Sequence, residues 1–331
     1  MVSVPRDRKL TPVSYGEVSH DDDGRVRPVG TEFAGLSDTD ERLQAAGYLP
    51  STSISTVTYL ADRLGKPVLV EGPAGVGKTE LAKAVATAKG ARLVRLQCYE
   101  GLDEAKALYE WNYSKQLLRI QFQGQRLAAG QGEDGGQGWE ETHDDIFGRD
   151  YLLTRPLLEA ISVDTPTVLL IDEIDKVDFE FEALLLEILS DFQVTIPELG
   201  TVAAVHQPYV VLTSNSTREL SEALKRRCLY LHMDYPDIDR EKAIVLSRVP
   251  EVPEQLADQL VRVVRSLRNL DLKKSPSISE TLDWARTLLA LGYDTLNAEV
   301  AASTINVVLK YQADIEKAMK HLAVPPDPSL N

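Results

Sequence analysis

Eight consecutive residues, Gly72, Pro73, Ala74, Gly75, Val76, Gly77, Lys78 and Thr79, follow the pattern G-x-x-x-x-G-K-[ST]. They lie between an apolar run, Pro67 to Val70, and a stretch from Thr79 to Lys89 whose Leu81, Ala82, Val85 and Ala86 share one helical face. In such a strand–loop–helix unit the glycines let backbone N–H groups turn inward. The helix start then adds a dipole that favours phosphate. These eight residues are therefore the expected cradle for the phosphates of a nucleoside triphosphate. Lys78 reaches the β- and γ-phosphates, and the Thr79 hydroxyl is a ligand for Mg²⁺. A phosphate loop reads phosphates and leaves the choice between ATP and GTP open.

A second group supplies carboxylates. Val168 to Ile171 is a strand-sized apolar run that ends in Asp172 and Glu173. Ligands in open α/β sheets sit at the carboxyl ends of strands. Asp172 suits the Mg²⁺ shell, and Glu173 suits a base that positions and deprotonates an attacking water. The run Val210 to Thr213 leads to Ser214 and Asn215. An amide there either orients that water or forms a turn or helix cap. Before the last strand stand Lys225, Arg226 and Arg227. One arginine could act in trans on transition-state charge, or the group could simply complement a helix end.

The elements that must carry these groups alternate. A helix is expected from about Ser51 to Leu64, stopped by Gly65. Strands are expected at Arg92–Gln97, Thr167–Ile171, Tyr209–Thr213 and Cys228–Met233, with helices at Leu102–Tyr109, Arg155–Ser162 and Phe181–Asp191. That alternation predicts an α/β fold, a mainly parallel sheet covered on both faces. Residues 194–206 read as a β-hairpin around Pro197 to Gly200. After Tyr235 and Pro236 only helical patterns remain, and Ser277 with Glu280 forms a capping box. The expected units are an arm over 1–35, an α/β domain over 36–236 and an all-helical domain over 237–331. Residues 124–138 hold six glycines among Gln, Glu and Asp, the composition of a flexible surface loop. Asp178, Glu180 and Glu182 at a helix start read as dipole complementation and solvation.

Composition sets outer limits. The 331 residues carry 36 Lys and Arg against 51 Asp and Glu, a net charge of −15 that argues against a general nucleic-acid surface. The two cysteines, Cys98 and Cys228, have no metal-ligand spacing; Cys98 reads as a small buried hydrophobe, and a reducing cytoplasm is the expected compartment. No apolar run approaches the length of a membrane span. His143, His206, His232 and His321 are scattered without acidic partners at helical spacing, so no metal site is expected from them.

Taken in order, these residues resemble the AAA+ ATPases, and most closely the MoxR group in its CoxD-like branch. The resemblance runs from about Tyr48 to His321. It rests on Tyr109 to Trp111, Tyr151 to Leu158, Ile171 to Asp175, Ile196 to Gly200, Thr213 to Asn215 and Arg218 to Cys228. It implies a P-loop AAA+ core followed by a small helical lid. Lys78 and Thr79 would lie on phosphate and Mg²⁺, and Asp172 on Mg²⁺. Glu173 would be the base, Asn215 the polar sensor, and Arg227, with Arg226 next, the finger acting in trans. It further implies a homo-oligomeric ring, usually a hexamer, a separate partner with a von Willebrand A domain, and a metalloenzyme client. One departure stands out: relatives often carry a second sensor arginine in a Ser-Pro-Arg setting, where this chain has Ser275, Pro276 and Ser277. Lys273, Lys274 and Arg286 are the candidates to replace it.

Three functions follow as expectations. The first is ATP-driven remodelling or chaperone-type maturation of a metalloenzyme or its assembly partner. A nucleic-acid motor or loader is the second, opposed by the charge. A nucleotide switch with little hydrolysis is the third, opposed by Glu173 and the arginine pair.

Overall fold

The computed structural model describes residues 18–20, 26–28, 32–128 and 147–322. Two short strands, β1 (Val18–His20) and β2 (Val26–Pro28), pair antiparallel. The segment 1–35, expected as a loose arm, therefore contains paired strands, and its end is packed. Phe33 is buried, its amide donates to Asp62 Oδ2 at 2.8 Å, and the Arg42 guanidinium lies 4.8 Å from its ring centroid. The other residues of 1–31 lie outside the described residues.

Helices α1 (Leu36–Ala45) and α2 (Thr52–Leu64) follow. The Ser51 hydroxyl caps α2 by accepting from the Ile54 amide, and Gly65, at φ 60°, ends it in the left-handed region. Then come β3 (Val68–Glu71), α3 (Lys78–Lys89) and β4 (Arg92–Gln97).

The next stretch departs from expectation. Only α4 (Glu104–Ala107) is helical within 102–109, because Asp103 caps it and the chain then leaves as β5 (Tyr109–Trp111). After α5 (Tyr113–Ala128), β6 (Leu152–Thr154) returns to pair antiparallel with β5. Trp111 is buried edge-to-face against Phe147, their centroids 5.4 Å apart. A strand whose partner lies some forty residues away cannot be read from local periodicity. Of the Gly-rich segment 124–138, residues 124–128 belong to α5; the remainder lies outside the described residues.

Helix α6 (Pro156–Ser162) leads into β7 (Thr167–Asp172), every residue of which is buried. Helix α7 (Phe179–Asp191) begins two residues earlier than expected, capped by Asp178. Strands β8 (Gln193–Ile196) and β9 (Gly200–Ala203) form the expected hairpin. They are followed by β10 (Tyr209–Ser214), α8 (Glu222–Arg227) and β11 (Leu229–His232).

The central sheet runs β11-β3-β10-β7-β4, all parallel. One face buries Leu96, Leu169, Ile171 and Leu212 with Leu157, Leu158 and Leu185 of α6 and α7. The other buries Val70, Val168, Leu170 and Val211 with Ile54, Leu81 and Val85 of α2 and α3. Alternate residues of these strands are apolar on both faces, as a doubly covered parallel sheet requires.

A helical unit follows, made of α9 (Ile238–Arg248), α10 (Glu254–Arg268), α11 (Ile278–Ala290), α12 (Ala298–Thr304) and α13 (Gln312–His321). Its own core centres on Trp284, fully buried, whose indole N–H donates to Thr304 Oγ1 at 2.8 Å. Arg268 and Glu241 form a buried ion pair at 2.6 Å, and Arg268 Nε also donates to the Pro276 carbonyl at 2.7 Å. Among the described residues, no helix is long and apolar enough to cross a membrane.

Candidate functional site: a phosphate loop beside paired carboxylates

Strand register assembles the site. Neighbouring strands β3, β10 and β7 all end at the same edge of the sheet, with Ser214 beside Glu71 and Leu212 beside Ile171. Those three strand ends deliver, respectively, the loop 72–79, Asn215, and the pair Asp172 and Glu173. On the far side of β7, Gln97 of β4 is level with Asp172.

Two glycines in the loop are obligatory for geometric reasons. A Cβ on Gly72 would lie 1.9 Å from the Met233 carbonyl oxygen, and one on Gly75, at φ +76°, would lie 2.2 Å from Ser277 Cβ. Helix α3 then starts at Lys78, whose ammonium is buried. It donates to the Gly72 carbonyl at 2.6 Å, the Pro73 carbonyl at 2.7 Å and Asn215 Oδ1 at 2.9 Å. Burial holds Lys78 below the ordinary lysine pKa, while the carboxylates of Asp175, Asp172 and Glu173 pull in the opposite direction. The Thr79 hydroxyl donates to Asp172 Oδ1 at 3.1 Å. A hydroxyl and a carboxylate side by side are hard oxygen donors of the kind Mg²⁺ takes, so Thr79 and Asp172 fit that ion.

Glu173 sits at φ 59°, a left-handed conformation that costs a non-glycine residue about 1–3 kcal/mol. Its amide donates to Thr213 Oγ1 at 3.0 Å, and the same hydroxyl donates to Asp172 Oδ1 at 2.5 Å. Thr213 thus orders both carboxylate residues from the neighbouring strand. Asp175 does the same for the loop after β10. It accepts from the Asn215 amide at 3.2 Å, the Thr217 amide at 3.1 Å and the Thr217 hydroxyl at 2.5 Å. Burial pushes the Asp175 carboxyl upward, but these donors outweigh it and leave its pKa below the ordinary value.

Thr213, Asp175, Arg95 and Gln97 were not singled out from the sequence as site residues. Arg95 Nη2 lies 2.5 Å from Asp172 Oδ2, and Gln97 Nε2 donates to Glu173 Oε2 at 3.3 Å. The available signal was the alternation in β4, where buried Val94 and Leu96 alternate with polar Arg95 and Gln97 at the strand end that meets the carboxylates. Cys98, one residue on, is buried, and burial with the nearby carboxylates pushes its thiol up to about 12.

Arg226 and Arg227 are not brought to this cluster. Both are exposed at the end of α8; Arg227 donates to the Leu186 carbonyl at 2.6 Å, and Arg226 lies 3.9 Å from Glu222. The acidic start of α7 also differs from its expected solvated role. Glu182 is buried, paired with Arg218 at 2.6 Å and accepting from the Ser221 amide at 2.9 Å, so it ties α7 to the segment that leads into α8.

The helical unit closes over the loop. The amide of Ile278, in the first turn of α11, donates to the Gly75 carbonyl at 3.2 Å. Between the two units is a cleft of about 580 Å³ lined by Tyr48, Gly75 to Gly77, Glu80, Tyr235, Arg240 and Arg286, among others. That volume suits a ligand of nucleotide size. Of the three candidates to replace a lid arginine, Arg286 lines this cleft. Lys273 instead lies 4.2 Å from the Tyr311 ring centroid, and Lys274 pairs with Glu280 at 3.0 Å.

The chain is 27% identical over 241 residues to an uncharacterized protein of Staphylococcus epidermidis, covering 69% of this chain and 78% of that one. It is 25% identical over 253 residues to an uncharacterized protein of Staphylococcus aureus, covering 73% and 82%. Among solved structures, a mutant of RuvB from Thermotoga maritima has a TM-score of 0.46 at 18% identity, over 85% of this chain and 73% of that one. The Thermotoga maritima RuvB Holliday junction branch migration motor has a TM-score of 0.43 at 18% identity, over 81% and 68%. The model of the AAA domain (dynein-related subfamily) matches residues 67–228, the span that contains every strand of the five-stranded sheet but β11 and the whole Lys78, Asp172, Glu173 and Asn215 cluster. Over residues 67–228, the chain is therefore similar to AAA domains of the dynein-related subfamily.

Proposed function

We propose that the chain is a Mg²⁺-dependent ATPase whose cycle drives remodelling of a protein client. The observation that carries this reading is the convergence of Lys78, Thr79, Asp172, Glu173 and Asn215 at three adjacent strand ends. In it, the loop Gly72 to Thr79 and the start of α3 cradle the phosphates, and Lys78 supplies positive charge. Thr79 and Asp172 would hold Mg²⁺, which, when bound, neutralises charge on the phosphate oxygens. Glu173 accepts the proton of the attacking water, and Asn215, tied to Lys78, fixes the polar environment beside the γ-phosphate. The exposed arginines, Arg227 first and Arg226 next, are available to a neighbouring copy in a ring.

The finer assignment is the MoxR group in its CoxD-like branch, supported by the ordered strings that run from Tyr109 to Cys228. On that reading the client is a metalloenzyme or its assembly factor, and a separate protein with a von Willebrand A domain is the partner. The test uses Glu173→Gln held in Mg·ATP, compared with Lys78→Ala, as baits in native extract. The Gln variant should bind nucleotide without turning it over and retain the partner. Recovery of metalloenzyme subunits or a von Willebrand A protein on that bait alone is the expected result. Nuclease-sensitive recovery of DNA-associated proteins would overturn the client assignment, and unchanged ATP affinity in Lys78→Ala would overturn the site.

A further inference from the structure

Asp172 is more heavily covered than a metal-holding carboxylate needs. Its Oδ1 accepts from the hydroxyls of Thr79 and Thr213, and its Oδ2 faces Arg95 Nη2 at 2.5 Å. The two hydroxyls are compatible with a bound cation. Thr79 can offer its oxygen lone pair to a metal while its hydroxyl proton stays directed at Asp172, and Thr213 carries no charge. The guanidinium differs: it brings a full positive charge to the very carboxylate a divalent cation would use.

Its origin is the sheet edge. β4 is an edge strand of the sheet, and Leu93, Arg95 and Gln97 share the face on which α3 packs. Arg95 pairs in register with Leu170, two residues before Asp172 on the same face, so its side chain reaches forward along the strand to the carboxylate. Asp172 is buried while Arg95 remains about half exposed, so the arginine is the partner free to leave. The same Nη2 also donates to Gln97 Oε1 at 2.5 Å.

We propose that Arg95 is a built-in counter-ion for Asp172 that competes with the divalent cation and so sets how much Mg²⁺ the site requires. The proposal rests on the nucleotide reading of this site and extends it to a residue that reading does not use. The physical reason is charge. A buried carboxylate needs a cation beside it, and whichever cation is present opposes the other at such short range. Loss of Arg95 should leave Asp172 held by Thr79 and Thr213 and open to the metal.

The test titrates Mg²⁺ into the chain with a fluorescent ADP analogue and reads the Mg²⁺ concentration at half-maximal signal, a measure independent of turnover. Arg95→Ala should lower that concentration about 2- to 5-fold, the range for one partly exposed ion pair. Arg95→Lys, which keeps the charge, should stay near the unsubstituted chain. Thermal unfolding of both variants checks that the half-exposed position tolerates the change. An unchanged or raised Mg²⁺ requirement in Arg95→Ala would overturn the proposal, and so would an Arg95→Lys that behaves like the alanine variant. If the unsubstituted chain binds no nucleotide at any Mg²⁺ concentration, the reading beneath it falls as well. Mg²⁺-dependent binding that ignores Arg95 removes only the counter-ion role.

Discussion

The phosphate cluster and the arginine end of α8 are built in opposite ways. Lys78, Thr79, Asp172, Glu173 and Asn215 are tied to one another and to Thr213 and Asp175 by hydrogen bonds within one chain. Arg226 and Arg227 stand exposed, and their contacts are a backbone carbonyl and a distant glutamate on their own surface. The first region is complete before any partner arrives. The second displays positive charge away from that cluster, where the proposed role lies on a neighbouring copy. A group that must act on a neighbour's phosphate has to be displayed in this way, whereas a group that must hold geometry has to be buried and bonded. The contrast therefore divides the proposed chemistry into what one chain provides and what assembly adds.

The largest test of that division is Lys78→Ala. It should abolish measurable nucleotide binding by calorimetry, since truncating a buried charge partner costs about 2–5 kcal/mol. Next, Arg227→Ala should keep nucleotide affinity and lose about 10³-fold in turnover, with Arg226→Ala affected less. Mixing Arg227→Ala chains with Lys78→Ala chains sharpens the point. Interfaces that join an intact loop to an intact Arg227 should recover part of the turnover, and no recovery would place the arginine's action within one chain.

Smaller effects probe the supports. Gly75→Ala should destabilise the chain by about 1–3 kcal/mol in thermal unfolding, because the new methyl meets Ser277 where α11 sits on the loop. Asp175→Asn should cost about 1–3 kcal/mol, since one oxygen facing the Thr217 donors becomes a donor itself. The pH dependence follows from the depressed pKa of Asp175. A carboxylate lowered in the folded state adds stability above its unfolded value, about 3.9, and loses it as pH falls through the lower folded one. The Asn variant should flatten the acid side of the stability profile over that window. An unaltered acid limb would remove Asp175 as the tie between β7 and the loop after β10.

The mutual arrangement of these groups was only partly legible. The loop 72–79 and the pair Asp172 and Glu173 stood out because the phosphate and metal chemistry proposed for them restricts both residue type and spacing. Helix α2, with Ser51 and Gly65 at its ends, and the Ser277–Glu280 capping box were readable because caps act within a few residues. The β5–β6 pair was hidden because its partners are far apart in sequence, and residues 102–109 looked helical until Tyr109 and Trp111 found their strand partner. Glu182 looked like a solvated helix-start acid, yet its burial depends on Arg218 arriving from beyond β10.

The amino-acid sequence by itself determined the alternating α/β architecture, the helical unit after it and the identity of the phosphate and carboxylate groups. These follow from local periodicity, capping and motif spacing, all of which operate over a few residues. Tertiary structure alone decided which strands lie side by side and at what register. That register sets Gln97, Asp172 and Thr213 at one level, brings Arg95 onto Asp172 and seats α11 on Gly75. Such contacts join residues from about 40 to 200 positions apart, and only closure of the parallel sheet and docking of the helical unit bring them within hydrogen-bond distance.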